Sequence, residues 1–475
     1  MSGGMRSSRA GVVVLVCALA LAGCGAKTAG FGTRYPGAGT PDAKLCRDLT
    51  RMPQDLAPYA AKAGADKPLL TSAERTAAVE KFRTRLFRPW DLREPNKWVK
   101  KALASDFNLK PDNGFTENLR PFPPEEWARL RANAQPDMYP LRREYGITVR
   151  NTSLRAMPTR APLFLNPDTA GEGYPFDYFQ HSALWVGSPV YICHVSADGQ
   201  WVLAETDSST GWVPAEDVAA VDEAFRTRMR SLPLLALTRD DVPLRASAGA
   251  ADRVTGGQAA LTAHIGTLLP LVRQSPGGFV AAFPRRDVGG LAVWTEAGLA
   301  ADQAAVWPLS ATPANIARLG NAMLGRPYGW GGMLENRDCS SLTRDLLIPF
   351  GIRLPRNSSA QAKVGTQLDI SGLAPEQKEA RILAEGKPFF SFIRMPGHIG
   401  LYLGEFDGKP AMFHSIWGLR VNTAGPDGPM NGRAIIGKAV VTSLRPGVEL
   451  PNLTSPAGLA DRVDILTILP ENQGK

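Results

Sequence analysis

The stretch Pro327 to Leu342, PYGWGGMLENRDCSSL, decides how this chain is read. Its first part, Tyr328-Gly329-Trp330-Gly331-Gly332, is a glycine-rich turn. Its second part opens a helix: Asp338 suits an N-cap, and Leu342, Leu346 and Leu347 continue as an apolar helical face. Cys339 therefore falls at a helix N-terminus. The element before it has the same logic. Thr312 and Pro313 start a helix, Ile316, Leu319 and Met323 form its buried stripe, and Gly325 stops it.

A cysteine in that place has chemistry to do. Only the thiolate is nucleophilic, and the unpaired N–H groups and dipole of a helix start are expected to lower a thiol below its free value near 8.5. A neighbouring imidazole stores the proton. The chain has five histidines. His181, His194 and His264 lie upstream in β-rich sequence, which leaves His398 and His414. Both fall in strand-like stretches, HIGLYL at 398–403 and AMFHS at 411–415. If Gly404 to Gly408 form the hairpin loop, Leu403 faces Lys409 and His398 falls directly opposite His414, with Cβ atoms roughly 4.5–5.5 Å apart. One imidazole then fixes the tautomer of the other. A two-residue turn at Asp407-Gly408 instead puts the two histidines on opposite faces. Cys339, His398 and His414 thus read as nucleophile, base and orienting group, the arrangement of a Cys-His-polar triad. The bland alternative is a structural thiol and two hydrogen-bonded strand histidines.

Working outward, 475 residues are too many for one core, and two to four domains are expected. Hydrophobic residues at 44% and charged residues at 21% are ordinary for a folded soluble chain, and 47 Gly with 39 Pro point to many turns and a β component. The net charge of +9 suits an anionic envelope polymer; with no concentrated Lys/Arg block, nucleic acid is not expected. Residues 1–24 read as an export signal: Arg6 and Arg9, then apolar Ala10 to Ala22, about half the ~20 residues a spanning helix needs. The ending Leu21-Ala22-Gly23-Cys24 resembles a bacterial lipobox, which makes Cys24 the expected lipidation site and membrane anchor. Residues 25–44 read as a flexible tether.

Residues 45–145 look helical and irregular, with a capping box at Thr71 to Glu74 followed by Val79, Phe82 and Leu86 at helical spacing, then repeated prolines. A docking or covering role is expected. Residues 146–225 and 226–305 alternate short apolar runs with Gly, Asp and Pro turns, a weak internal repeat of two small β-barrels. Residues 306–475 carry the chemistry. Once Cys17 goes with the signal, Cys46, Cys193 and Cys339 remain past the lipobox; one pair can bridge and at least one thiol stays free. There is no HExxH, no zinc spacing around Cys193-His194, no Gly-x-Ser-x-Gly elbow, no Walker A and no dinucleotide fingerprint, so neither metal nor cofactor is expected.

Residues 320–420 resemble an NlpC/P60 domain, a papain-like family of cell-wall peptidases, through Tyr328-Gly329-Trp330-Gly331-Gly332, Asp338-Cys339-Ser340 and Gly397-His398-Ile399-Gly400. The first β-rich region, closing on Gly211-Trp212-Val213-Pro214, resembles bacterial SH3-like domains. The resemblance implies a multidomain α+β chain: a helical segment, two SH3-like barrels and a papain-like catalytic domain. It implies hydrolysis of the γ-D-Glu–diaminopimelate bond of murein peptides, with Cys339 as nucleophile, His398 as base and His414 orienting it. It assigns Asp338 to the free amine of L-Ala and places Tyr328, Ser340 and Ser358 in the pocket. Asn357 stands where some relatives have Asp. The first barrel closes the site in relatives, with Tyr174, Asp177 and Gln180 as candidates here. Two other readings stay open: an endopeptidase on stem peptides of intact peptidoglycan, or a non-catalytic wall-binding lipoprotein. The expected location is the cell envelope, lipid-anchored and periplasm-facing. Gly25, where inner-membrane proteins often have Asp, points to the outer membrane if the source is Gram-negative.

Overall fold

The computed structural model describes residues 46–109, 111–169, 171–246, 261–425 and 428–469; the signal, Cys24 and the tether lie outside the described residues. Among the described residues no helix is long and apolar enough to cross a membrane.

The leading segment holds α1 (Asp48–Arg51), α2 (Ala57–Lys62), α3 (Ser72–Phe87), α4 (Lys97–Ala104) and α5 (Pro124–Ala134). Thr71 caps α3 through a full capping box with Glu74, and Phe82 is buried. The segment splits its allegiance. Leu56, Tyr59 and Phe82 enter a core with Ile316, Leu346 and Phe413 of the C-terminal region. Val99, Leu103 and Leu130 enter another with Tyr191, Leu203 and Trp212 of the first β region. It is therefore a clamp whose apolar faces are used up on two neighbours.

The first β region is a seven-stranded antiparallel sheet of β1 (Glu144–Thr148), β2 (Thr152–Arg155), β3 (Gln180–Leu184), β4 (Pro189–Val195), β5 (Trp201–Glu205), β6 (Thr210–Pro214) and β7 (Val218–Ala220), in the order β3-β2-β6-β5-β4-β1-β7. β6 is buried throughout, with Trp212 facing Leu203 on β5. The helix α6 (Glu223–Ser231) leads into β8 (Leu234–Leu237), β9 (Val242–Leu244), β10 (Leu261–Ala263), β11 (Leu268–Ser275), β12 (Gly278–Arg286), β13 (Ala292–Ala300) and β14 (Ala304–Val306). Five of these strands form a sheet in the order β13-β12-β11-β8-β14, and β9 pairs with β10. Leu235, Leu269, Phe283 and Leu299 make its core.

The C-terminal region contains α7 (Pro313–Met323), α8 (Cys339–Leu347), α9 (Ser358–Gln361), β15 (Thr366–Asp369), α10 (Pro375–Glu385), β16 (Ser391–Met395), β17 (His398–Phe406), β18 (Lys409–Gly425), β19 (Gly428–Thr442) and β20 (Ile465–Ile468). The six strands run β15-β20-β16-β17-β18-β19, and α8 packs across β17 and β18. Cys46, Cys193 and Cys339 are all buried free thiols, so the bridge that three cysteines allow is not made.

The hairpin between the histidines differs from the five-residue loop expected. Phe406 pairs with Lys409 across a two-residue turn at Asp407 and Gly408, both with φ near +50° to +75°. By itself that turn puts His398 and His414 on opposite faces. A bulge between Tyr402 and Gly404 adds one residue to β17 and reverses the parity, so that Leu401 faces Phe413. His414 then lies across from Gly400, and His398 is its diagonal neighbour on the same face. The glycine is required there: a Cβ at Gly400 would stand 2.5 Å from Met412 and 3.0 Å from the Cβ of His414.

Candidate active site

The site starts with the cap of α8. Asp338 Oδ1 accepts from the Ser341 amide at 2.8 Å and Ser341 Oγ at 2.9 Å, and Oδ2 accepts from the Gly331 amide at 3.0 Å. Arg356 donates to both oxygens, at 3.2 Å through Nη1 and 2.7 Å through Nη2. Burial pushes the Asp338 carboxyl up, yet the Arg356 guanidinium and these donors win and hold it at about 2. Arg356 also donates to Ser340 Oγ at 3.0 Å and to Ser182 of β3 at 2.8 Å. The first β region thus reaches the residue beside the nucleophile. It does so over Gly331 and Gly332, whose φ values are +61° and +86°; Cβ atoms there would come within 2.5 Å of the Gln180 carbonyl and of Ala183.

Cys339 is the first residue of α8, so its amide has no intrahelical acceptor. The backbone N–H groups of Ile399 and Ser340 favour the sulfur anion, which places the sulfur against the strand that carries His398. His398 Nε2 lies 2.7 Å from His414 Nδ1, and His414 Nε2 lies 3.0 Å from Thr442 Oγ1. Thr442 donates its own proton to the Ser443 carbonyl at 2.7 Å. That last bond sets the direction of the whole chain. Thr442 Oγ1 must accept from His414 Nε2–H, His414 Nδ1 must accept from His398 Nε2–H, and His398 Nδ1 is left as the bare, basic nitrogen.

The expected lowering of the Cys339 thiol is not what the surroundings produce. Burial, then the Asp338 charge, push it up to about 12, more than the Ile399 and Ser340 amides draw it down. Burial likewise holds His398 down to about 4, helped by Arg462 and opposed by Asp338, and His414 well below its usual value. In the closed pocket thiol and imidazole are both neutral.

The expected pocket residues scatter. Tyr328 is partly buried beside the nucleophile, between the rings of Phe176 at 6.4 Å and Trp417 at 6.0 Å. Burial, then the Cys339 and Asp338 charges, hold its hydroxyl protonated. Ser340 is buried, its Oγ bonded to Asp338 at 3.1 Å. Asn357 is exposed and caps α9 by accepting from the Ala360 amide at 2.9 Å; Ser358 is the first residue of that helix. Gln180 donates to the Gly331 carbonyl at 3.1 Å. Tyr174 is half exposed and edges onto Trp417 at 5.9 Å.

Two carboxylates expected near the substrate are already spent. Asp338 is 6% exposed and fully engaged by Arg356 and the α8 cap. Asp177 is 2% exposed, paired with Arg155 at 2.6 Å and accepting the Leu163 and Phe179 amides. Each carboxylate is thus paired with a buried arginine, and Asp177 also lines the neighbouring cavity. A cavity of about 510 Å³ beside them is lined by Tyr174, Gln180, Gly332 and Glu117, among others.

Arg356 and Thr442 went unseen in sequence. An arginine in a loop gives no sign of burial, and a threonine at a strand end looks like any other strand residue.

Three family models match the chain. The N-terminal NLPC_P60 stabilising domain covers residues 13–139, an SH3 domain of SH3b1 type covers 162–214, and the NlpC/P60 family covers 325–438. A probable endopeptidase of Corynebacterium glutamicum strain R is 33% identical over 106 residues, which is 22% of this chain and 45% of that protein. A second, from another strain of that species, is 31% identical over 99 residues, 21% of this chain and 42% of that protein. The matched stretch thus spans less than half the length of these curated relatives. A solved structure described as a novel NlpC/P60 endopeptidase from Photobacterium damselae subsp. piscicida is 26% identical, with a TM-score of 0.78, over 89% of this chain and 98% of that one.

Proposed function

We propose, on the premise that this chain belongs to the NlpC/P60 family, that it is a cysteine endopeptidase acting on bacterial cell-wall peptides. The finer reading is cleavage of the γ-D-Glu–diaminopimelate bond. The observation that carries the cysteine-peptidase reading is the directed chain Ser443–Thr442–His414–His398, which leaves one bare imidazole nitrogen on the strand beside the Cys339 sulfur.

The reaction follows from these atoms. Cys339 Sγ attacks the amide carbonyl while its proton passes to His398 Nδ1. The carbonyl oxygen becomes an oxyanion, and the Cys339 amide at the start of α8 is the natural donor to it. The tetrahedral adduct collapses as His398 returns the proton to the leaving amine, giving a thioester and the free amino product. Water then attacks the thioester, His398 takes its proton, and the thiol is regenerated with the carboxylate product. His414 holds the ring of His398 throughout, and its own tautomer is set by Thr442.

The substrate's N-terminus is read from the paired carboxylates. Among the described residues Asp338 and Asp177 are each matched by an arginine, which favours stem peptides still attached to glycan alongside free ones. Lipidation at Cys24 and an envelope location, at the outer membrane of a Gram-negative source, complete the proposal, with murein as partner.

The test is incubation with L-Ala-γ-D-Glu-diaminopimelate and with its N-acetylated form. Cleavage of both at similar rates, abolished in Cys339→Ala, supports the reading. Absence of cleavage, or cleavage surviving in Cys339→Ala, rejects the enzyme; cleavage of the free form alone restores an amine site.

A further inference from the structure

Beyond the triad, the hairpin of β18 and β19 carries charges that nothing in the catalytic chemistry uses. Arg420 on β18 lies directly across from Arg433 on β19. Like charges directly opposed across a ladder destabilise it. Arg462 joins them, donating through Nη2 to the Pro396 carbonyl at 2.6 Å, two residues before His398. Among the described residues none of the three forms an ion pair with a carboxylate, and Arg433 Nε is buried without a partner. The neighbouring Asp464 pairs with Arg394 through Oδ2 and also faces Arg462. Arg433 is held between two parts of the site: its Nη2 lies against Gly171 of the first β region, 2.8 Å from where a Cβ would stand, and it shares its surroundings with Tyr328. Burial first, then Arg420 and Arg462, hold the Arg433 guanidinium down at about 10. Three clustered cations, of which Arg462 alone among the described residues has a carboxylate nearby, are costly unless an anion sits among them.

We propose that Arg420, Arg433 and Arg462 form a carboxylate subsite that selects substrates with free acidic groups beside the scissile bond. The inference rests on the cell-wall peptidase reading and names its specificity. A γ-linked D-Glu keeps its α-carboxyl, and a diamino acid leaving group keeps at least one carboxyl. Both are anions in a free peptide and both become neutral on amidation. Planar guanidinium groups match a carboxylate in two-point geometry and gain little from a carboxamide.

The experiment uses three tripeptides of L-Ala-γ-D-Glu-diaminopimelate: unmodified, amidated at the D-Glu α-carboxyl, and amidated at both carboxyls of the diamino acid. The wild-type chain is expected to lose about ten- to hundredfold in kcat/KM on whichever amidation removes the bound anion, and that arm identifies its source. Arg420→Gln, whose side chain is exposed, and the double variant Arg420→Gln/Arg433→Gln are expected to shrink that ratio towards one, with Arg433→Lys recovering part of it. Binding of the same peptides to Cys339→Ala, followed by calorimetry, reads the preference without turnover. Equal handling of all three peptides by wild type, or an undiminished preference in the double variant, overturns the subsite. A preference in binding with no cleavage by wild type keeps the subsite and overturns the peptidase.

Discussion

The two β regions meet the catalytic helix through the same device with different consequences. From the first, Ser182 bonds Arg356, and Arg356 grips Asp338, the cap of the nucleophile. From the second, Asp240 grips Arg337 at 2.7 and 2.8 Å, and Arg337 passes the bond on to Asp345 at 2.9 Å, nearly two turns into α8. Both arginines are buried and both join a β region to α8. Only the first ends beside the sulfur. A buried ion pair is weak evidence for net stability, because desolvating two charges consumes most of their attraction, but removing one partner strands the other. The comparison teaches that the two pairs are alike as braces and differ in what they hold: one the frame of the helix, the other the position of Cys339.

The largest effect is expected from Arg356→Met. It leaves Asp338 buried and unpaired, at a cost of about 3–5 kcal/mol in chemical denaturation, and activity falls with it. Arg337→Met strands Asp240 and costs a similar amount, yet its turnover per folded molecule stays near wild type. Equal loss of turnover in both variants would break the comparison. The double variant Arg356→Met/Asp338→Asn, by removing the stranded charge, is expected to regain stability but not activity.

Next comes Thr442→Val. Without its oxygen, His414 Nε2–H loses its acceptor and the tautomer of His398 is no longer fixed. A fall of about ten- to hundredfold in kcat with little change in KM is expected, and Thr442→Ser restores it. Loss confined to KM, or no rescue by Ser, would contradict a positioning role.

The pH dependence has a definite sign. His398 is held at about 4, below the usual value near 6.5, so between these values the unfolded chain binds more protons than the folded one. The stability contribution is full above about pH 6.5 and is lost as the pH falls towards 4. The acid limb of kcat/KM lies below about pH 5 for the same reason. A limb near 6.5 would show that His398 is not desolvated. Last comes Gln180→Ala, which cuts the bond to the Gly331 carbonyl across the glycine turn together with those to Ser153 and from Arg155, at about 0.5–1.5 kcal/mol each in chemical denaturation.

The chemistry was legible where residue type and position act together. Asp338 before Cys339 is both a cap and a helix start, and the only two histidines downstream fall on adjacent strands. Their shared face was expected for the wrong reason: the turn is the short one, and the bulge between Tyr402 and Gly404 compensates. A bulge has no local signature in a run such as HIGLYLGEF, because the extra residue satisfies the same apolar pattern. The thiol's direction was misread because a helix N-terminus was weighed without the burial that the first β region and β17 impose. Arg337 and Arg356 were opaque because their burial is completed by the β regions, through Asp240 and Ser182, 97 and 174 residues away in sequence. The leading segment showed its capping box but not its second allegiance, since a stripe of Val99 and Leu103 does not say which core it enters.

The chemistry depends on the protonation state of His398, which histidine-selective nitrogen-15 NMR of the substrate-free protein reads directly. At pH 6 to 7 a neutral His398 with its proton on Nε2 and a bare Nδ1 is expected. A doubly protonated His398 in that range, or a proton on Nδ1 alone, would contradict it.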